Sequence, residues 1–339
     1  MNRLKSLAII TVVIFLTACF PSKDLSSDAI LLQGHTMGTT YNIKVVVKND
    51  SVKIEKLQSD IDDLLRQVNQ EMSTYIPTSE LSLFNKSQST EPVLISQGLQ
   101  RVIKESLRLG EMSAGKLDIT IGPLVNLWGF GPGNRPETMP SDTILAATKG
   151  RIGLKYLSLD GNKLTKVIPE LYVDLSTIAK GYGVDVVTEL IEKNGIQNYL
   201  VEIGGEMRLK GFKASGELWH IAIEKPMTEV RSVHQILVPN DNAVATSGDY
   251  RNYFEVDGIR FSHIIDPDTG KPINHKLVSV TVIHPSSMTA DGLSTAMMVM
   301  GEDKAFEFAN QHDIAAYFIS KTEDGFKERI TVKFIPYLK

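Results

Sequence analysis

Asp291 and Thr295 stand four apart in a segment with helical spacing, so their side chains share one face. A carboxylate and a hydroxyl so placed could hold Mg²⁺, which takes few protein oxygens and completes its shell with water and substrate phosphate. An acid at a helix start would equally serve the helix dipole. A second cluster runs from Asp174 through Ser176 and Thr177 to Lys180. Read as an acid before a helix with polar groups in its first turn, it offers amide donors and a point charge to a phosphate. Capping with a solvated lysine accounts for the same residues. His263 precedes the turn Asp266-Pro267-Asp268-Thr269-Gly270. It could act as a general base near neutral pH, or simply fix the turn. The pair Gly204-Gly205 allows close backbone approach to a ligand, and also suits a plain tight turn. No cluster of His and Cys suggests zinc.

These groups need elements to position them. Apolar residues at helical spacing predict helices over 53–70, 96–113 and 176–193, the last closed by Asn194-Gly195. Further helices are predicted near 291–300 and 303–311. Strands are predicted over 43–47, 199–203, 220–224, 235–238, 278–283, 315–319 and 330–334. Residues 151–159 and 163–168 read as a hairpin about Asp160-Gly161. Strands and helices interleave, yet several strand pairs look antiparallel, which favours an α+β fold over a doubly wound parallel sheet. The Gly- and Pro-rich stretch 129–140 reads as a loop.

The N-terminus has its own logic. Arg3 and Lys5 precede an apolar run over 7–16, then Leu16-Thr17-Ala18-Cys19. A basic start, a short apolar run and small residues before a cleavage point make a secretory signal. The run is shorter than the ~20 residues that span a bilayer. Leu-x-Ala-Cys resembles the lipobox of bacterial lipoproteins, which makes Cys19 the expected lipidation site. Cys19 is the only cysteine, so no internal disulfide forms. The expected organisation is a signal peptide over 1–18, a lipidated Cys and flexible tether over 19–29, and a globular body over 30–339. The 339-residue chain carries a net charge of −4, and loss of Arg3 and Lys5 would make it −6. No basic patch stands out, so nucleic acid is not an expected partner.

Taken in order, the motifs resemble the ApbE family, the FAD:protein FMN transferases. They are Met37-Gly38-Thr39, Met72-Ser73-Thr74-Tyr75, the stretch from Leu117-Asp118 to Gly131, and Asp174-Leu175-Ser176-Thr177-Ile178-Ala179-Lys180-Gly181. Then come Glu202-Ile203-Gly204-Gly205-Glu206, Ala245-Thr246-Ser247-Gly248, Ser262-His263-Ile264-Ile265-Asp266-Pro267 and Ala290-Asp291-Gly292-Leu293-Ser294-Thr295-Ala296. The resemblance implies a single α+β domain with a tunnelling-fold-like core of mixed, largely antiparallel sheet and packed helices. It implies Mg²⁺-dependent transfer of FMN from FAD, the substrate, to a threonine hydroxyl, releasing AMP. It places FAD contacts at Met37, Tyr75, Lys116, Leu117, Asp118, Asp174, Lys180 and Ile265. It places Mg²⁺ near Thr177, Asp291, Ser294 and Thr295. His263 would position or deprotonate the acceptor threonine, with Asp291 catalytic through the metal. The implied acceptors are flavin-carrying subunits of membrane redox complexes, of the sodium-pumping quinone reductase or Rnf type. They would put the protein on the periplasmic side of the inner membrane, anchored through acylated Cys19. Two rival readings remain: a periplasmic FAD pyrophosphatase giving FMN and AMP, and a non-catalytic flavin-binding lipoprotein.

Overall fold

Eight strands assemble a sheet whose spatial order is its chain order. Its strands are β1 (Asp28–Thr36), β2 (Thr39–Val47), β3 (Tyr199–Ile203), β4 (Glu206–Lys210), β5 (Ala243–Gly248), β6 (Leu277–His284), β7 (Ala315–Lys321) and β8 (Phe326–Ile330). Every neighbouring pair is antiparallel. This computed structural model describes residues 28–47, 53–132, 139–226, 233–249, 253–256 and 259–339. Cys19, the signal and most of the expected tether lie outside the described residues. The tether was expected to run to residue 29, but β1 already begins at Asp28.

Helices fill the long connections. Between β2 and β3 lie α1 (Ile54–Met72), α2 (Glu80–Lys86), α3 (Gln97–Met112), α4 (Gly122–Leu127), α5 (Asp142–Lys149) and α6 (Ala179–Lys193). Between β6 and β7 lie α7 (Ser287–Met300) and α8 (Glu302–Gln311). Leu57, Ile61 and Leu65 of α1, with Val184, Val187 and Ile191 of α6, pack on Tyr41, Ile43, Val45, Tyr199, Val201 and Ile203. The i, i+4 stripe of each helix thus meets the alternate residues of β2 and β3. Met297 and Met298 of α7 belong to the neighbouring core with Val280, Val282, Ala316 and Phe318. The opposite face is covered by a hairpin, Ile221–Glu224 with Val233–Leu237, together with Trp219 and Phe334. Cover on both faces leaves β6 buried from Leu277 to Ile283, Ser279 and Thr281 included.

Several boundaries differ from those predicted. Helix α6 begins at Ala179 rather than 176: the Asp174 carboxylate takes the Ser176 N–H at 2.9 Å in a turn, and Ile178, at φ −150° and ψ −19°, interrupts helical backbone before Ala179. Helix α7 begins at Ser287, capped by Ser286, so Asp291 lies in its second turn and does not serve its N-terminus. The strand predicted over 151–159 is only Leu157–Asp160, because Gly153 (φ 131°) breaks it. The predicted strand over 330–334 is mostly a 3₁₀ turn, Val332–Tyr337, after β8.

Candidate active site

Strands β4 and β5 pair at two positions only, Arg208 with Ala243 and Met207 with Val244. On its other edge β5 is laddered to β6 along its whole length. Beyond Val244 the two central strands part. Gly204 (φ 58°) and Gly205 (φ 103°) turn the chain into β4 through left-handed backbone. A Cβ on Gly204 would also sit 2.8 Å from Thr39 Cγ2. The gap opens into a cleft of about 600 Å³. Helices α6 and α7 contribute Lys180, Asp291 and Thr295 to its wall, and the covering hairpin contributes Ile221 and Ile223. Two loop segments supply Leu117, Asp118 and Phe130, and His263 and Ile265.

The charged groups converge where α6, α7 and β4 meet. Lys180 Nζ lies 2.6 Å from Glu206 Oε1. The Gly181 N–H donates to Asp291 Oδ2 at 3.0 Å. That amide belongs to the first turn of α6, whose donors lack partners within the helix, and Ile178 offers no side-chain cap. A carboxylate from α7 takes that place. The approach requires glycine: a Cβ on Gly181 would meet the Ser287 carbonyl oxygen at 2.4 Å and Asp291 Cβ at 2.8 Å. Burial, then the charge of Glu206, pushes the Asp291 carboxyl well above the usual carboxylate range, against the pull of Lys180. Burial alone would lower the Lys180 ammonium, but Glu206 and Asp291 outweigh it and raise it.

Two buried oxygens here, Thr177 Oγ1 and Glu206 Oε2, have no hydrogen-bond partner among the described residues. Such atoms are rare in folded proteins and point to a bound ligand, ion or water. Among the described residues no three His, Cys, Asp or Glu gather as a metal-binding group. One carboxylate with hydroxyls, Asp291 with Thr295 and Thr177, is a hard-oxygen set that suits Mg²⁺ retaining waters and phosphate oxygens. It does not suit zinc.

The loop walls are tied to one another. Lys116 Nζ bridges Asp266 at 2.9 Å and Asp268 at 2.7 Å. The Trp128 indole N–H donates to the Gly270 carbonyl at 2.8 Å. Asp118 Oδ1 accepts the Thr120 N–H and hydroxyl at 2.7 and 2.6 Å, and burial raises its carboxyl. His263 meets Phe130 edge-on, with ring centroids 6.3 Å apart.

The sequence profile of the ApbE family matches residues 37–318. The chain belongs to the ApbE family. A relative from Vibrio cholerae serotype O1, named FAD:protein FMN transferase, is 54% identical over 312 residues, covering 92% of this chain and 93% of its own. One of the same name from Escherichia coli K12 is 40% identical over 344 residues, covering 98% and 96%. The solved structure of flavin transferase ApbE from Vibrio cholerae superposes with a TM-score of 0.87 at 53% identity, covering 92% of this chain and all of that one. The apo flavinyl transferase ApbE of Pseudomonas stutzeri gives 0.85 at 39% identity, covering 92% and 97%. The expected α+β class with a largely antiparallel sheet is the architecture of this ApbE-family chain.

Ten of the residues singled out in the sequence line the one cleft: Tyr75, Lys116, Leu117, Asp118, Thr177, Lys180, His263, Ile265, Asp291 and Thr295. Three stand off its wall. Met37 occupies the left-handed turn between β1 and β2 (φ 49°), with its methyl against Gly183, and borders a separate depression. Asp174 is occupied by the Ser176 amide. Ser294 is fully buried, its hydroxyl donating to the Asp291 carbonyl at 2.9 Å and meeting Ser247 Oγ at 2.7 Å. The Lys116 ammonium is committed to the two aspartates. Glu206, Ser247 and Phe130 also line the cleft, and sequence patterning alone assigns them no role. The available signal for Glu206 was an acid directly after a glycine pair that turns the chain.

Proposed function

We propose that this ApbE-family chain is an enzyme that transfers FMN from FAD to a hydroxyl of a target protein and releases AMP. The name borne by its relatives supports the reading. The observation that carries it is the convergence of Lys180, Glu206 and Asp291 beside the unpartnered Thr177 Oγ1, in a cleft large enough for a dinucleotide's central portion.

Phosphoryl transfer relies mainly on positioning and charge neutralisation. Lys180 and the amide-rich start of α6 draw the pyrophosphate into the gap between β4 and β5. The apolar walls, with Tyr75 at the rim and Ile223 and Ile265 inside, receive the rings and exclude water. The acceptor oxygen bonds to the phosphorus on the flavin side. The bridging P–O bond breaks, and AMP leaves with the bridging oxygen. The hydroxyl proton passes to the His263 imidazole. Asp291, Thr295 and Thr177 would hold Mg²⁺, which when bound supplies charge neutralisation at the phosphates.

The finer proposals follow the same chemistry. The acceptor hydroxyl is a threonine of a flavin-carrying subunit of a membrane redox complex. Lipidation at Cys19 tethers the enzyme on the periplasmic side of the inner membrane. The Leu16-Thr17-Ala18-Cys19 motif supports the anchor. A soluble body lacking residues 1–19, given FAD, Mg²⁺ and such an acceptor, should yield flavin fluorescence on the denatured acceptor and stoichiometric AMP. AMP without labelled acceptor would favour the pyrophosphatase, and neither product would favour a binder.

A further inference from the structure

Asp185 is 0% exposed, lies in α6 and is not on the cleft wall. Its carboxylate accepts four hydrogen bonds. Oδ1 takes Arg208 Nη1 at 3.0 Å and the Ser287 N–H at 2.9 Å. Oδ2 takes the Ser286 hydroxyl at 2.6 Å and the Met288 N–H at 3.0 Å. One side chain therefore joins α6, β4 and the first turn of α7. Those are the three elements that carry Lys180, Glu206 and Asp291.

The spacing makes the link direct. Gly181, whose amide holds Asp291, lies one helical turn before Asp185 on α6. Asp291 lies one turn after Ser287 on α7, so each pair shares a helix face. Glu206 is two residues before Arg208 on β4, on the same side of the strand. Helix capping accounts for only part of this arrangement: Ser286 accepts the Thr289 N–H at 3.3 Å and Asp185 takes the Ser287 and Met288 N–H groups, but capping does not call for the bond to Arg208 on β4. A buried carboxylate is costly to keep unless donors surround it, and here one of the four donors is a guanidinium from the sheet.

We propose that Asp185 is a positioning residue that holds Lys180, Glu206 and Asp291 in register, so that two acids and one ammonium face the same phosphate and cation. Two neighbouring acids repel each other, and their spacing persists only if their elements cannot shift. The inference rests on the reading that these groups bind the FAD phosphates and Mg²⁺.

The test compares Asp185→Asn and Ser286→Ala with Glu192→Gln. Glu192 lies at the far end of α6, where Oε1 meets Tyr199 Oη and Lys210 Nζ, each at 2.9 Å. Mg²⁺ binding to the metal-free protein is measured by calorimetry without FAD, alongside kcat and KM for FAD. Asp185→Asn should weaken Mg²⁺ binding about 10-fold to 100-fold and lower kcat comparably, as expected for a residue that orients metal ligands. The KM for FAD should change far less. Ser286→Ala should move both in the same direction by less. Glu192→Gln should lower the melting temperature and leave Mg²⁺ binding and kcat as they were. A folded Asp185→Asn protein with native Mg²⁺ binding and kcat overturns the proposal. Should Asp185→Asn not fold, native values in Ser286→Ala overturn it instead. If the native protein binds no Mg²⁺, the metal reading fails separately, and the split between kcat and KM decides for Asp185.

Discussion

The flank of the sheet and its centre are built on opposite terms. On the flank, β2 meets β3 from Tyr41 opposite Ile203 to Val45 opposite Tyr199, without interruption. The inward residues Tyr41, Ile43, Val45, Tyr199, Val201 and Ile203 are fully buried beneath α1 and α6. At the centre, β4 and β5 share two register pairs and then separate. There the space holds a lysine, two acids and unpartnered oxygens instead of methyl groups. Cohesion on the flank comes from apolar burial and a closed hydrogen-bond ladder. The centre gives up ladder bonds and keeps its shape through polar ties between helices. Burial and the charge of Glu206 raise the Asp291 carboxyl at the centre, whereas on the flank burial and a carboxylate partner raise the Tyr41 and Tyr199 phenols.

That contrast can be broken by experiment. The largest expected effect is on activity at the centre. Asp291→Ala should reduce acceptor labelling by about 10³-fold, the upper range for removing one preorganised electrostatic group. Undiminished labelling would sink the metal assignment. Leu65→Ala, in the 2% exposed contact of α1 with the flank, should do the reverse. It should cost about 2–5 kcal/mol in urea unfolding and leave the kcat of the folded protein unchanged. A matching loss of kcat would show that the two regions are not separable.

The pH dependence of stability sharpens the comparison further. Asp291 binds its proton more tightly in the folded state than in the unfolded one. Without divalent cation, its contribution to stability is therefore lost as pH rises from the ordinary aspartate value, about 3.9, toward the raised folded value. Asp291→Asn should melt higher than the native protein at pH 7.5 and converge with it below the ordinary value. The gain is about 1.4 kcal/mol for each unit separating the two values. A constant or shrinking difference with rising pH would contradict the burial argument. The smallest effect belongs to the loop walls. Asp268→Asn removes the ion pair of Lys116 with the largely exposed Asp268 and should cost only about 0.2–1 kcal/mol in thermal unfolding.

Local spacing made much of this legible. The stripes of α1 and α3, the Asn194-Gly195 stop of α6 and the strand Tyr199–Ile203 stand close to where periodicity put them. Strands β4 and β5 are not legible in the sequence. Met207 and Arg208 are half-buried and Ala243–Gly248 is built of small residues, so neither alternates clearly. The start of α6 was not legible: residues from 176 on have helical spacing, yet Ile178 takes φ −150° and the helix begins only at Ala179.

What the sequence determined by itself is the supply of reactive groups and the short elements that carry them: the Asp291–Thr295 face, the Thr177–Lys180 segment, the glycine pair before Glu206. Their assembly was decided only by tertiary structure. The bond from Gly181 to Asp291 spans 110 residues. The parting of β4 from β5 depends on which partner each strand finds, and Asp185 acquires its place from donors on β4 and α7. Side-chain periodicity records which face of an element is buried. It does not record which distant element covers that face, because burial energy depends on area and not on the identity of the partner.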